Sequence, residues 1–193
     1  MTDITLPEKY DVITAAALAS ASADPVSVAR DIMRDGRISM HGPEHHYLDG
    51  AAFIAAYRNA GGEIDAAACL KALAARVVSM PGAMCGLWGV CGAAASVGAA
   101  MSVIRGTGPL SADAGYGDNM AFTSSVLAEM SRIGGPRCCK RNAFLSLRIG
   151  AVFAREKLGV PMAVSDVYCD FSRDNGTCLK SACPFYPPGG RIG

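Results

Sequence analysis

Large and small apolar residues recur at helical spacing from Val90 to Ile104, which is the most regular pattern in this chain. The larger side chains are Val90, Val97, Met101 and Ile104. A second, narrower stripe consists of Cys91, Ala95, Gly98 and Ser102. The pattern predicts a buried helix with one face for bulky side chains and another that a neighbouring backbone can approach closely. The glycines at 82, 86, 89 and 92 are too dense for a helix interior, so Cys85 falls in an irregular loop and Cys91 near the first helical turn.

The same stretch has a competing interpretation as a transmembrane span. It carries no charge between Arg76 and Arg105, and about 20 apolar residues suffice to cross a bilayer. Most of its residues are Ala, Gly and Ser, however, which contribute little to bilayer insertion compared with Leu, Ile, Phe and Val. We therefore favour the central helix of a globular protein and expect no membrane association.

Helix-start and helix-stop signals bracket further periodic segments on both sides of this stretch. Asp24 followed by Pro25 is a typical helix start, Asp65 is another N-cap, and glycine pairs follow Ala60 and Ile133. These signals predict about six helices around the central one. They cover residues 11–20, 25–34, 43–60, 65–80, 118–133 and 136–158.

The pattern changes from residue 159 onward, because prolines at 184, 187 and 188 forbid a continuing helix and an Asp-Asn-Gly sequence signals a turn. We expect irregular backbone there, apart from one short strand near residues 162–168. The predicted fold is a mostly α-helical single domain over residues 1–193. It comprises N-terminal helices at 1–39, a helical core at 40–158 and a Cys- and Pro-rich tail at 159–193.

Composition narrows the functional classes. Of the 193 residues, 51% are hydrophobic and 18% are charged. A chain of this length and composition can bury one sizeable hydrophobic core. The net charge is +1 without a long run of either sign, so we expect neither nucleic acid nor an anionic membrane as a partner. The N-terminal segment lacks the basic region of a secretory signal peptide, and a cytoplasmic location is expected.

Eight cysteines are many for a protein in a reducing compartment, where structural disulfides are rare. Metal binding or redox chemistry is therefore the first explanation to consider for them. Cys69 fits the apolar stripe of the 65–80 helix and is expected to be a core residue. The other seven fall in three neighbourhoods marked by glycine or proline: Cys85 and Cys91; Cys138 and Cys139; Cys169, Cys178 and Cys183.

Cys138 and Cys139 lie where the 136–158 helix begins, beside three cationic residues. Free N–H groups, the helix dipole and those cations all favour thiolate, which is both the metal ligand and the nucleophile. Helical geometry puts Cys138 on the buried side and turns Cys139 about 100° away from it.

Four interpretations of the cysteines remain open. Structural zinc sites usually show C-x2-C pairs, and this chain has none. An iron–sulfur cluster accepts ligands from scattered loops and helix starts, and the spacings C-x5-C, CC and C-x8-C-x4-C-P are compatible with one. Disulfide cycling and a structural set of free thiols complete the alternatives. The favoured metal ligands are Cys138, Cys139, Cys169, Cys178 and Cys183, with Cys85 and Cys91 next as cofactor-binding residues.

All three histidines lie in the segment His41-Gly42-Pro43-Glu44-His45-His46. At a helix N-terminus the dipole disfavours the protonated imidazole, and a neutral histidine can serve as a ligand or an acid/base group. His41, Glu44 and His45 are therefore candidates for proton transfer or a non-thiolate ligand. The competing interpretation is an exposed polar helix cap.

The segments HGPEHH, CGLWGVCG, GPRCCKRNAF and NGTCLKSACPFYP resemble an uncharacterised cysteine-rich domain family. That family is associated with anaerobic bacteria and methanogenic archaea, where the domain stands alone or is joined to radical-SAM or methyltransferase-like proteins. The resemblance covers about residues 40–187 and carries over no function, but an anaerobic setting favours iron–sulfur chemistry over zinc. A redox, methyl-transfer or sulfur-transfer protein is expected as a possible partner.

The sequence as a whole predicts a cytoplasmic cysteine-ligated metalloprotein, with an iron–sulfur cluster favoured over zinc. Its role would be redox or sulfur/one-carbon transfer, because hydrolase triads, phosphate loops and dinucleotide fingerprints are missing. A structural or accessory module with zinc or free thiols and a metal-free thiol oxidoreductase are the alternatives. A homo-oligomer is compatible with the tail, in which Phe185 and Tyr186 could dock on another subunit.

Overall fold

Eight α-helices build the part of the chain that the computed structural model describes, residues 4–188. They are α1 (Leu6–Ala19), α2 (Pro25–Met33), α3 (His45–Asn59), α4 (Ala66–Val77), α5 (Met84–Leu87), α6 (Gly92–Arg105), α7 (Ala114–Ile133) and α8 (Cys139–Phe153). One π-helical turn, Ala154–Leu158, extends α8, and one 3-10 turn, Lys180–Ala182, lies in the tail. The mostly α-helical prediction is confirmed. Within residues 4–188 none of the helices has the length and hydropathy needed to cross a bilayer.

Side-chain caps explain where most of these helices begin. Thr5 and Glu8 form a reciprocal capping box on α1, and aspartates cap α2, α4 and α7. Because Asp113 caps α7, that helix begins four residues before the predicted position. Helix α3 begins at His45, after a turn closed by the His45 N–H on the Gly42 carbonyl at 3.3 Å, and Pro43 stays outside it.

Helix α3 is the most completely buried element, since every residue from His45 to Tyr57 is buried. Helix α6, the predicted small-residue helix, packs against α3, α4, α7 and α8. Gly50 allows a close approach: its N–H donates to the Ser96 hydroxyl at 2.8 Å, and an added Cβ would stand 2.9 Å from the Ser96 carbonyl. This contact fixes the start of α6 against the histidine-bearing end of α3.

The tail folds back onto the core through packing and charge. Phe185 is 3% exposed and meets the Phe144 ring edge-on at 5.6 Å, so this side chain is buried in its own chain and is not free to dock on another subunit. Asp170 accepts hydrogen bonds from Arg30 and Arg34 of α2. The predicted strand at 162–168 does not form. The last five residues of the predicted tail lie outside the described residues.

Candidate functional site

Four of the five favoured metal ligands converge on one small cavity of about 20 Å³ beside Phe171 and Phe185. We call this set the C-terminal thiol site; it consists of Cys138, Cys169, Cys178 and Cys183. Cys138 is the N-cap of α8, whereas the other three come from the irregular tail. The fold therefore brings together two cysteine neighbourhoods that are separated by about 30 to 45 positions in the sequence.

Polar hydrogens point at the sulfurs of this site. Backbone N–H groups donate to three of them from two or three residues further along: Arg141 to Cys138 at 3.5 Å, Phe171 to Cys169 at 3.4 Å, and Lys180 to Cys178 at 3.3 Å. The Asn175 amide also donates to the Cys138 sulfur at 3.6 Å. Such N–H···S contacts stabilise negative charge on sulfur and are among the factors that tune metal–thiolate centres.

Burial raises the pKa of Cys169 to about 11, and proximity of the other three thiols acts in the same direction. Burial also raises the pKa of Cys183, although the Phe185 N–H and Arg141 oppose that shift. The expectation of a thiolate at the start of α8 is wrong for Cys139: burial raises the pKa of this thiol to about 12, and the Gly42 N–H and Arg137 do not offset it. A bound metal would displace these protons, because only the thiolate is a ligand.

Two buried cations lie near the site: Arg141 lines its cavity, and Lys140 lies over the ring of Phe171, which also lines it. Lys140 is 1% exposed, its ammonium lies 4.9 Å from the centre of the Phe171 ring, and burial lowers its pKa to about 8. Arg141 is buried and donates to the carbonyls of Gly134 and Pro136 at 3.0 and 3.1 Å. Buried cations next to four thiols offset the negative charge that a thiolate-ligated centre would carry.

Cys139 faces a different and larger cavity, although it follows Cys138 directly. This second cavity has a volume of about 300 Å³ and is called the inner cavity here. Its chemically active lining comprises Cys85, Cys91, Cys139, His41, His45, His46 and Asp49. Short helix α5 and the starts of α3, α6 and α8 supply them, with His41 in the loop before α3.

Two contacts fix the walls of the inner cavity. The His46 ring lies against Gly92, where an added Cβ would stand 2.1 Å from His46 Cδ2. The Asn142 amide donates to the Cys91 sulfur at 3.2 Å. Asn142 lies one turn after Cys138 in α8, so that helix contacts both cysteine sites.

His41 bridges the two cysteine sites. Its Nδ1 accepts the Cys139 N–H at 3.4 Å, and its Nε2 faces the Asn175 carbonyl oxygen at 3.4 Å. These contacts fit a neutral imidazole that carries its proton on Nε2. Burial lowers the pKa of His41, which agrees with that protonation state.

Asp49 is the residue of the inner cavity that the sequence analysis missed. It is fully buried, and neither carboxylate oxygen has a hydrogen-bond partner among the described residues. Burial raises the pKa of Asp49 well above its usual value, with Lys140 acting in the opposite direction. The available signal was its spacing, because Asp49 follows His46 by three residues and shares its helix face.

Glu44 and His45 belong to a buried polar network. The Glu44 carboxylate accepts from the Ser39 N–H at 3.0 Å and pairs with Lys9 at 3.3 Å, and Glu44 lines neither cavity. His45 Nε2 lies 3.1 Å from the Ser39 carbonyl and 3.4 Å from the Lys140 ammonium. Burial, followed by Lys140, lowers the pKa of His45 to about 3. Both residues are buried, which disagrees with the alternative of an exposed polar cap.

A wide groove of about 660 Å³ adjoins the inner cavity and shares Cys85, Cys91 and Arg137 with it. Cys85 lies in the short helix α5 rather than in the expected loop, and the exposed side chains of Leu87 and of the C-cap residue Trp88 follow it. All eight cysteines are free thiols, and Cys69 packs against the core from α4. Across residues 4–188, no three His, Cys, Asp or Glu side chains are close enough together to bind a single metal ion.

Comparison with known proteins gives a family and no function. Residues 13–186 match the family of unknown function DUF5714. The chain therefore belongs to that family. Neither a curated protein nor a solved structure matches it.

Proposed function

We propose that this member of a family of unknown function holds an iron–sulfur cluster at its C-terminal thiol site and serves in redox chemistry in the cytoplasm. The observation that carries the proposal is the convergence of Cys138, Cys169, Cys178 and Cys183 on one cavity. Four thiolates are the usual ligand set of [2Fe–2S] and [4Fe–4S] clusters. A redox partner protein is part of the proposal, since electrons must enter and leave such a cluster.

The surroundings of the four sulfurs support this assignment. Backbone N–H groups of the tail and of α8 donate to three of the sulfurs, and such donors would stabilise the negative charge of a thiolate-ligated cluster. Lys140 and Arg141 supply buried positive charge, and α8 directs its N-terminus at Cys138. A cluster bound here would supply one-electron transfer, and these groups would set the charge balance on which its potential depends.

The ligands of a cluster do not have to meet at a single ion. The four thiols surround one cavity, and among the described residues no three of them are close enough for one ion. In a multinuclear core the thiolates bind different metal atoms.

Structural zinc is the second candidate, and the size of the cavity favours it. A volume of about 20 Å³ is close to that of one water-sized sphere. Cys₄ zinc sites are tetrahedral, with Zn–S bonds of about 2.3 Å, so the four sulfurs would have to move together. In that case the chain would be a structural or accessory module.

Metal analysis of protein purified without oxygen tests the proposal. We expect brown protein with iron and acid-labile sulfide, and we expect Cys178→Ser to lose the metal bound at this site. Cys69→Ser is the matched control, because Cys69 lies outside both cavities, and it should keep the full metal content. Colourless wild type with about one zinc per chain would support the structural module instead. Colourless metal-free protein would overturn both and would favour the thiol oxidoreductase.

A further inference from the structure

We propose that the inner cavity is a second metal centre, in which Cys85, Cys91 and Cys139 supply thiolate ligands and His46 and Asp49 supply the others. We infer that it holds iron in a cluster. The inference goes beyond the function proposed for the C-terminal thiol site, because the two ligand sets share no residue. Either centre can therefore exist without the other.

The three thiols reach the inner cavity from three separate elements. Cys85 comes from α5, Cys91 from the N-cap of α6 and Cys139 from the first turn of α8. Three imidazoles and one carboxyl group line the cavity together with these thiols, beside the apolar residues Pro43, Ala83, Met84 and Ala93. Thiol, imidazole and carboxyl groups that meet in one cavity include the donor types that bind transition metals.

The buried carboxyl group of Asp49 gives independent support for a bound ligand. Both of its oxygens are buried without a hydrogen-bond partner, and the Nδ1 atom of His46 on the same helix face has none either within the described part of the chain. An unpartnered buried polar group costs roughly 1–3 kcal/mol, and more if it is charged. Groups of this kind are retained when they bind something, and thiolate, imidazole and carboxylate together form a transition-metal ligand set.

The dimensions of the cavity favour a cluster over a lone ion. Its volume of about 300 Å³ is about ten times the volume that one water molecule occupies in the liquid. As at the C-terminal thiol site, no three candidate ligands are close enough to share one ion. A three-thiolate cluster completed by His46 or Asp49 would have a non-thiolate position, and histidine is an established substitute for cysteine in such clusters.

The adjoining groove gives this centre an access route. Cys85, Cys91 and Arg137 form a wall common to the groove and the inner cavity. Cys138 and Cys139 are consecutive residues on opposite sides of the α8 start, so one peptide unit joins the two proposed centres. This arrangement suits electron transfer between the two proposed centres.

The test uses the full chain, reconstituted without oxygen from ferric iron and sulfide in the presence of a thiol reductant. Wild type should bind about twice as much iron as the double variant Cys91→Ser/Cys139→Ser. The variant Cys178→Ser/Cys183→Ser should lose the other half and keep the inner centre. Cys69→Ser serves as the control for thiol loss as such and should match wild type.

Folding is checked separately by circular dichroism and thermal unfolding of each variant. If the double variant does not fold, Cys85→Ser replaces it, because Cys85 lies on a four-residue helix in an exposed loop. That variant should also lower the iron content or destabilise the inner centre towards a chelator. The second centre would be overturned by one result: both Cys85→Ser and a folded Cys91→Ser/Cys139→Ser bind as much iron as wild type and lose it to the chelator no faster.

The remaining outcomes separate the two centres. If Cys178→Ser/Cys183→Ser keeps all the iron while the inner-cavity variant loses it, the inner centre stands and the C-terminal cluster fails. If every variant loses all the iron, the centres are not independent and the inference of a second one is wrong. If wild type contains zinc but no iron or sulfide, and the inner-cavity variant contains about one zinc less per chain, the inner cavity binds zinc and the proposal of a cluster there is wrong.

Discussion

Substitution of Phe185 by alanine tests whether packing or a bound metal holds the tail on the core. Phe185 is 3% exposed and meets Phe144 edge-on. Truncation of a buried Phe to Ala costs about 3–5 kcal/mol, of which roughly 0.5–1.5 kcal/mol belongs to the aromatic pair. Because other anchors remain, we expect about 3 kcal/mol, the lower end of that range.

The measurement is urea unfolding of metal-free protein, with the free energy extrapolated to water. The matched control is Tyr168→Ala. Tyr168 belongs to the same tail and is 50% exposed, and its substitution removes a side chain of similar aromatic surface. That control should change the free energy of unfolding by less than about 0.5 kcal/mol. In metal-loaded protein, Phe185→Ala should also release metal to a chelator faster than Tyr168→Ala does.

Equal effects of the two substitutions would refute this reasoning. They would mean that the tail is not held by its apolar contact in the metal-free state. A loss below about 1 kcal/mol in Phe185→Ala alone would mean that the tail unfolds locally, without coupling to the cooperative core.

Three further predictions concern charge and close packing. Two arginines at the C-terminal end of α2 lower the pKa of Asp170, so the stabilisation by this ion pair is present above the unfolded pKa of about 4 and is lost as pH falls through the lower folded pKa. Asp170→Asn should lower the free energy of unfolding by about 1 kcal/mol at pH 7, a small effect because solvent screens the pair. In urea unfolding, the difference from wild type should vanish in acid. Gly92→Ala would place a Cβ 2.1 Å from the His46 ring and should destabilise the fold by about 1–3 kcal/mol, whereas Gly86→Ala, which meets nothing within 4 Å, should leave thermal unfolding nearly unchanged. Lys140→Met removes a buried cation next to the C-terminal thiol site, so redox titration of a bound cluster should give a more negative midpoint potential than wild type; an unchanged or more positive potential would contradict the charge-balance argument.

The residue pattern predicted most of the helices, since their causes are local. Asp24 and Asp65 cap helices where they were expected to. The small-residue stripe of α6 meets the Thr123 hydroxyl at Gly98, whereas the close backbone approach is made outside that stripe, by Gly50 against Ser96. The early start of α7 at Asp113 was missed, because an Asp-Ala-Gly sequence in a loop gives no periodic signal. The absent strand near residue 165 has a tertiary reason: N–H groups of that segment donate to Ala23 and Asp24.

The sequence by itself determined the helical class, the helix starts and the grouping of seven cysteines into three neighbourhoods, because capping, periodicity and composition act over a few residues. Only the tertiary structure decided how those cysteines combine. It separated the adjacent Cys138 and Cys139 into different cavities, joined the former to the tail, and placed Asp49 beside Cys91 and Cys139. It also turned the expected thiolate of Cys139 into a protonated thiol, since burial depends on neighbours from distant segments and outweighs the local effects of a helix start.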